Sequence, residues 1–121
     1  MAFDTPTFAT FSKLSGAVPL VGINHGRCFA GNTALLACCD VIIATQDSTI
    51  AMGGPAMIEG GGLGIYTPEE VGPMSFQVPN GVVDILVRDE AEAVQVAKQY
   101  LSYFQGRVAD WVAPDQRKLR H

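Results

Sequence analysis

Four runs of apolar residues have the length and composition of short buried strands. They lie at 18–23, 40–45, 49–52 and 82–87. The second run, Val41-Ile42-Ile43-Ala44, has no polar side chain, which is typical of a strand in a sheet covered on both faces. Glycine, proline or polar residues separate the runs, so turns are expected between them.

Helix patterns lie between these runs. Apolar residues recur every three positions at 7–14, and small residues fill 31–39, which predicts a helix that can approach a sheet closely. The longest helix is predicted at 89–104, with one apolar face and acidic residues in its first turn. Strands that alternate with helices place the chain in the α/β class. The sequence shows no internal repeat.

Two shorter helices are predicted from their first residues. Pro55 favours the first position of a helix at 55–58. Thr67 and Glu70 form a capping-box pattern at the start of a second, which ends at Gly72. Between them, the glycine-rich stretch 59–64 is expected to be a mobile loop.

A glycine-punctuated turn at 22–32 joins the first strand to the helix of small residues. In a strand–turn–helix arrangement, the first N–H groups of the helix have no helical partner and point at one spot. Between Gly26 and Asn32, Cys28 is the one reactive side chain, and His25 lies just before it. We therefore expect the backbone to carry the chemistry here, as in an oxyanion hole.

Composition narrows the class of protein. The 121 residues suit one domain, and 48% of them are hydrophobic while 17% are charged. A formal net charge of −4 argues against nucleic acid as a partner. No apolar run approaches the roughly 20 residues of a membrane span, so no membrane is expected, and the cytosol is the default location. Thirteen glycines and the high apolarity suggest surfaces that pack against another piece of protein.

Several familiar sites are excluded or have simpler explanations. The turn lacks the lysine of a phosphate-binding loop, and no nucleophile elbow occurs. His25 and Cys28 could form a base and nucleophile, but packing or polar contacts explain both more simply. Glu69 and Glu70 are explained by the capping box. The three cysteines are interpreted as buried thiols rather than a metal or disulfide framework, and a basic cluster at 117–120 as a solvated tail.

Five segments together resemble one known family, the carboxyltransferase component of biotin-dependent acyl-CoA carboxylases. The resemblance implies a crotonase-like fold of repeated ββα units, of which this chain would be part of one N-terminal carboxyltransferase domain, covering 1–121, without the C-terminal partner domain. The segments are Gly26-Arg27-Cys28-Phe29-Ala30-Gly31, Cys39-Asp40-Val41-Ile42-Ile43-Ala44, the glycine-rich stretch 52–62, Gly81-Val82-Val83-Asp84, and 97–104.

The resemblance also implies a site. Backbone amides of Ala30 and Gly31 would form an oxyanion hole for the acyl-CoA carbonyl; many relatives have Gly-Gly there, but alanine keeps the N–H donor. The residues implied in acyl-CoA binding lie in the turn and in the later glycine segments: Gly26, Arg27, Cys28, Phe29, Gly54, Pro55, Gly60, Gly61 and Gly62. No metal is implied.

The implied reaction moves a carboxyl group from carboxybiotin to the α-carbon of an acyl-CoA. No cofactor would be covalently bound, because carboxybiotin would arrive on a separate carrier domain. Other implied partners are the carboxyltransferase C-terminal domain of the same or a neighbouring subunit, the biotin carboxyl carrier, biotin carboxylase, and further copies in a homo-oligomer. The isolated fragment is expected to be inactive.

Two alternatives remain at this point. The first is another crotonase-fold enzyme, an enoyl-CoA hydratase or isomerase, in which Glu59 would be the best candidate for the active-site glutamate. The second is a truncated domain that folds without turning over substrate.

Overall fold

The computed structural model describes residues 5–106, and the predicted basic tail at 117–120 lies outside them. The strands are β1 (Val21–Asn24), β2 (Arg27–Phe29), β3 (Val41–Thr45), β4 (Thr49–Ala51) and β5 (Ile85–Val87). The helices are α1 (Thr5–Ser12), α2 (Gly31–Leu36), α3 (Pro55–Gly60), a 3₁₀ turn (Pro68–Glu70), α4 (Met74–Gln77) and α5 (Glu90–Ser102).

Two successive ββα units stack on each other. The units are β1-β2-α2 and β3-β4-α3, and their strands pair in parallel, β1 with β3 and β2 with β4. Paired residues lie 20 positions apart in the first pair (Val21 and Val41) and 22 in the second (Arg27 and Thr49). The structure therefore contains a repeat that the sequence does not show, because backbone pairing repeats while the side chains differ.

Strand β3 is central and is buried along its whole length, as its apolar run predicted. Its side chains alternate between two clusters because successive residues of a strand point to opposite faces. Ile42 and Ala44 pack with Leu36 and Ile50 on one side. Val41 and Ile43 pack with a second group on the other side, Val87, Ala93 and Ala97.

An aspartate fixes the first residue of both β3 and β5. Asp40 accepts a hydrogen bond from the Leu20 N–H at 2.7 Å and returns its own N–H to the Leu20 carbonyl at 2.8 Å. Asp84 does the same with Ile42, at 2.7 Å and 3.0 Å. Each aspartate thus closes a ring of two hydrogen bonds with the neighbouring strand.

Several predicted boundaries differ from the structure. Strand β2 was missed, because three residues between glycines give no periodic signal, and the 22–32 segment was interpreted as turn only. Helix α2 ends at Leu36 rather than at position 39, and Glu59 and Gly60 belong to α3 rather than to a loop. The four-residue α4 was not predicted. The long helix is confirmed, with Asp89 as its N-cap accepting from the Glu92 N–H at 2.8 Å.

Large apolar side chains remain at the surface along the chain from α3 to α4. Ile65 is 82% exposed, Leu63 73%, Met57 66% and Phe76 64%. Such exposure agrees with the expectation of surfaces that pack against further protein. Within the described residues, no helix has the length and apolarity needed to cross a membrane.

We predict that Asp84→Ala lowers the free energy of unfolding by about 1–3 kcal/mol, because the Ile42 N–H loses a charged acceptor. Asp84→Asn keeps an acceptor oxygen, so its free energy of unfolding should fall clearly less than that of Asp84→Ala. Urea denaturation of the three proteins measures the difference. Equal losses for alanine and asparagine would show that the ring contributes little.

Candidate functional site

The backbone turns sharply between β2 and α2 at Ala30. Its dihedral angles are φ 54° and ψ −122°, and among the described residues it is the one non-glycine with positive φ. A side chain in this region costs on the order of 1–3 kcal/mol, so the surroundings must hold the turn in place. The Ala30 N–H contributes to this by donating to the carbonyls of Ala51 at 3.3 Å and Met52 at 3.1 Å.

The next amide has a different environment. Gly31 begins α2, and within the described part of the chain its N–H has no hydrogen-bond partner. Phe8 of α1 lies close by, since a Cβ at Gly31 would be 3.1 Å from its ring. Of the two amides predicted for the oxyanion hole, that of Gly31 is therefore available. The Ala30 N–H already donates to carbonyls at the end of β4, so a ligand oxygen would have to share it with them.

Thr33 holds the turn from within α2 and was missed by sequence reasoning. This buried residue places Oγ1 2.9 Å from the carbonyl oxygens of both Cys28 and Ala51. Because the hydroxyl has one proton, it donates to one of them at a time. A polar residue in a predicted buried helix was the signal that could have identified it.

His25 and Cys28 do not share partners. The Nδ1 of His25 lies 3.2 Å from Thr45 Oγ1, and its Nε2 lies 3.2 Å from the Glu90 carboxylate. Cys28 is buried in the core beside Thr33. The polar-contact interpretation of His25 and the packing interpretation of Cys28 therefore describe them better than a catalytic pair.

Arg27 forms an ion pair with Glu69. Its Nε lies 3.0 Å from Glu69 Oε1, and Nη2 contacts the same oxygen. The hydrogen bond from the guanidinium lowers the pKa of Glu69. The capping-box explanation is right for Glu70, which accepts from the Thr67 N–H at 2.7 Å, but wrong for Glu69. Sequence reasoning missed this pair because 42 residues separate its members.

The two later glycine segments, 54–55 and 60–62, lie at different distances from the turn. Gly54 packs against Phe29, since a Cβ at Gly54 would lie 3.6 Å from the Phe29 ring, and Pro55 follows as the first residue of α3. The 60–62 segment lies at the other end of α3, about 9 Å along its axis. The structure thus brings Gly54 and Pro55 to the turn and places Gly60, Gly61 and Gly62 farther off.

A groove of about 270 Å³ opens beside the turn, between α1, β1 and α2. We call it the α2 groove. Its apolar wall comes from Phe11, Leu35, Leu36 and Cys39, and Arg27 and Asn32 are among its polar residues. Burial is the main cause that raises the pKa of the Cys39 thiol, which keeps this wall uncharged. Among the described residues, no group of three or more His, Cys, Asp or Glu side chains is arranged to hold a metal.

Comparison with known proteins identifies the family. Residues 5–118 match the carboxyl transferase domain. The chain belongs to the carboxyl transferase domain family. The match confirms the resemblance to acyl-CoA carboxylase carboxyltransferases, and it favours that interpretation over a hydratase or isomerase built around Glu59, which lies exposed on α3.

Three relatives define the similarity. A single-chain, multi-domain long-chain acyl-CoA carboxylase is 63% identical, with a TM-score of 0.82 over 98% of this chain and 12% of its own. Transcarboxylase 12S with methylmalonyl-CoA bound is 28% identical, with a TM-score of 0.75 over 93% of this chain and 23% of its own. The mitochondrial methylcrotonoyl-CoA carboxylase β chain of Dictyostelium discoideum is 31% identical over 70% of this chain and 15% of its own.

These matches confirm the crotonase-like α/β fold of the carboxyltransferase family. They also show that the chain spans less than a quarter of each of these three relatives.

We predict that Ala30→Gly raises the free energy of unfolding of this carboxyl transferase domain by about 1 kcal/mol, because glycine removes the strain of positive φ. Ala34→Gly, in the interior of α2, should instead lower it by about 1 kcal/mol. Thermal and urea denaturation measure both. A loss of stability for both variants would contradict the strain at Ala30.

A second prediction concerns Glu69. Its lowered pKa means that the ionised carboxylate stabilises the fold above the ordinary glutamate pKa of about 4.3, and this contribution is lost as pH falls through the lower, folded-state value. Glu69→Gln should therefore be slightly less stable than the parent at pH 7, and the difference should close on acidification. Unfolding curves between pH 7 and 3 measure this.

Glu59→Gln removes an exposed carboxylate of α3 that has no ion-pair partner among the described residues, and it is the matched control for the loss of one negative charge. A Glu69→Gln difference that persists unchanged at pH 3 would show that the ion pair is not its cause.

Proposed function

We propose that this chain is the acyl-CoA-binding part of a carboxyltransferase in a biotin-dependent acyl-CoA carboxylase. The observation that carries the proposal is 63% identity to a long-chain acyl-CoA carboxylase over 98% of the chain, together with the family match. The substrate would be a CoA thioester, because all three relatives are named for, or bind, a CoA compound. The reaction would move the carboxyl group of carboxybiotin to the α-carbon of that thioester.

The turn suits the difficult step of this reaction. Removing a proton α to a thioester places negative charge on the carbonyl oxygen, and the enolate must persist until the carboxyl group is transferred. A preorganised N–H donor aimed at such an oxygen contributes about 3–4 kcal/mol to the transition state. The Gly31 N–H, which has no hydrogen-bond partner in the part of the chain that the structure describes, is the first donor in this proposal. Ala30 would add a second, shared donor.

We assign the remaining binding residues by where they lie relative to the turn. Gly26, Arg27, Cys28 and Phe29 form the turn and β2, and Gly54 with Pro55 lies against Phe29. We assign these to acyl-CoA contact. Gly60, Gly61 and Gly62 stay in the proposal on the family resemblance alone.

The other half of the reaction belongs to partners. Carboxybiotin would supply the transferred carboxyl group, and it would arrive on a separate carrier domain charged by biotin carboxylase. A carboxyltransferase C-terminal domain, from the same or a neighbouring subunit of a homo-oligomer, would complete the site. The exposed apolar side chains between Met57 and Phe76 support such a partner. A cytosolic location is part of the proposal, because the three cysteines are free thiols, as in reducing compartments.

The test follows the Gly31 amide by NMR. Acetyl-CoA should shift the Gly31 N–H resonance, whereas S-ethyl-CoA, a thioether without the carbonyl oxygen, should not. The amide of Gly81, an exposed turn residue, is the control and should not respond to either compound. Equal shifts of Gly31 with thioester and thioether would contradict the oxyanion hole, and no shift with any CoA compound would contradict acyl-CoA binding.

A further inference from the structure

The carbonyl of Ala51, the last residue of β4, lies within reach of two donors. Its oxygen is 3.3 Å from the Ala30 nitrogen and 2.9 Å from Thr33 Oγ1. The Ala30 N–H is itself divided, because the Met52 carbonyl oxygen lies 3.1 Å from the same nitrogen. Both of these N···O distances exceed the usual length of about 2.9–3.0 Å. The Ala30 N–H is thus the donor that is more easily drawn away from Ala51.

The Thr33 hydroxyl has a choice of acceptors. Its Oγ1 lies at the same distance, 2.9 Å, from the carbonyl oxygens of Cys28 and Ala51. Its single proton serves one of them at a time, and rotation about the Cβ–Oγ1 bond exchanges the two without moving a heavy atom. Because Thr33 is buried, these carbonyls are the acceptors it has at hand. The proton can therefore turn to whichever carbonyl lacks a donor.

A ligand oxygen that takes the Ala30 N–H leaves two carbonyls short of a donor. Met52 is 60% exposed, so water can reach this residue and replace the donor. Ala51 is half-buried, and a carbonyl without a donor in such a position costs free energy. The Thr33 hydroxyl can supply that donor. Cys28, which the hydroxyl then leaves, lies inside the paired part of β2, where the strand ladder holds it.

We propose that Thr33 is a positioning residue that frees the Ala30 N–H for the thioester oxygen. When that oxygen draws the N–H away, the Thr33 proton turns from the Cys28 carbonyl to the Ala51 carbonyl and keeps α2 joined to β4. The hydroxyl only rotates, so no covalent bond changes. This inference rests on the proposed function and adds to it the way in which the shared donor becomes available.

Two variants of Thr33 test the inference by NMR. Valine has a similar shape without the hydroxyl, and serine keeps the hydroxyl without the methyl group. In the parent, acetyl-CoA should shift the amide resonances of both Ala30 and Gly31. In Thr33→Val the Gly31 shift should remain, while the Ala30 shift should fall at least about twofold, because Ala51 would be left without a donor. Thr33→Ser should restore the Ala30 shift.

Affinity gives a second readout from the same titrations. The parent should bind acetyl-CoA more tightly than S-ethyl-CoA, which has no carbonyl oxygen. The loss of one neutral hydrogen bond corresponds to about fivefold in a dissociation constant, so the preference for acetyl-CoA should fall about fivefold in Thr33→Val. The Kd of S-ethyl-CoA itself should not change.

Thr49→Val is the matched control. Thr49 is buried in β4, and within residues 5–106 its Oγ1 has no hydrogen-bond partner. The same substitution there removes a buried hydroxyl from the same pair of strands and leaves the donors of Ala51 in place. It should keep the parent response at both amides. A loss of stability in Thr33→Val would follow from any structural role, whereas a loss confined to the Ala30 response would not.

The carbonyl carbon of Cys28 reports on the Thr33 proton in the parent protein, so this measurement needs no variant. Hydrogen bonding moves a carbonyl carbon resonance downfield. A hydroxyl that turns to Ala51 should therefore move the Cys28 resonance upfield when acetyl-CoA binds, and S-ethyl-CoA should not have this effect. The carbonyl carbon of Val41, in the other apolar cluster, is the control and should not respond.

The outcomes separate the two proposals. If acetyl-CoA shifts the Gly31 amide but neither the Ala30 amide nor the Cys28 carbonyl carbon, the inference about Thr33 is wrong and the proposed function stands. A full Ala30 response in Thr33→Val, a reduced one in Thr33→Ser, or a reduced one in Thr49→Val would also overturn the inference. If no CoA compound binds, the proposed function fails, and the inference fails with it.

Discussion

The parallel pairing of successive ββα units through β3 is the constraint on which the structure depends. β3 pairs with β1 on one edge and with β5 on the other, and its alternating side chains enter the two apolar clusters on opposite faces of the sheet. The same stacking places β2 beside β4. The end of β4 accepts the Ala30 N–H, so this stacking supplies one of the hydrogen bonds that hold the turn of the candidate site.

The turn combines strain with support. Positive φ at Ala30 is unfavourable, yet the hydrogen bonds of Ala30 and Thr33 to Ala51 and its neighbours hold the backbone there. One result is that the Gly31 N–H has no hydrogen-bond partner among residues 5–106. On either side of Gly26, His25 and Arg27 each form an ion pair with a carboxylate far away in the sequence, Glu90 and Glu69 respectively.

Sequence reasoning predicted the class, the buried character of β3, the long helix and the presence of a turn before α2, because these depend on local patterns. It missed β2, because this strand is defined by its pairing with β4, in which Arg27 lies opposite Thr49, and its own three residues give no strand pattern. It also missed the Arg27–Glu69 pair and the role of Thr33, which are contacts between distant segments. The family resemblance named Ala30 and Gly31, but the hydrogen bond of the Ala30 N–H to the end of β4 is a contact between distant segments that the sequence does not show.

The aspartates before β3 and β5, Asp40 and Asp84, align each strand with its neighbour whatever the length of the connection between them. The connection from β1 to β3 places partners 20 residues apart, whereas that from β3 to β5 places Ile43 and Ile85 42 residues apart. The same two-bond ring nevertheless sets both strands at their first residue. Alignment is thus decided locally rather than by the intervening segment. Changes of length in the exposed 61–66 segment, which lies between β4 and β5, are therefore expected to leave the alignment of the sheet unchanged.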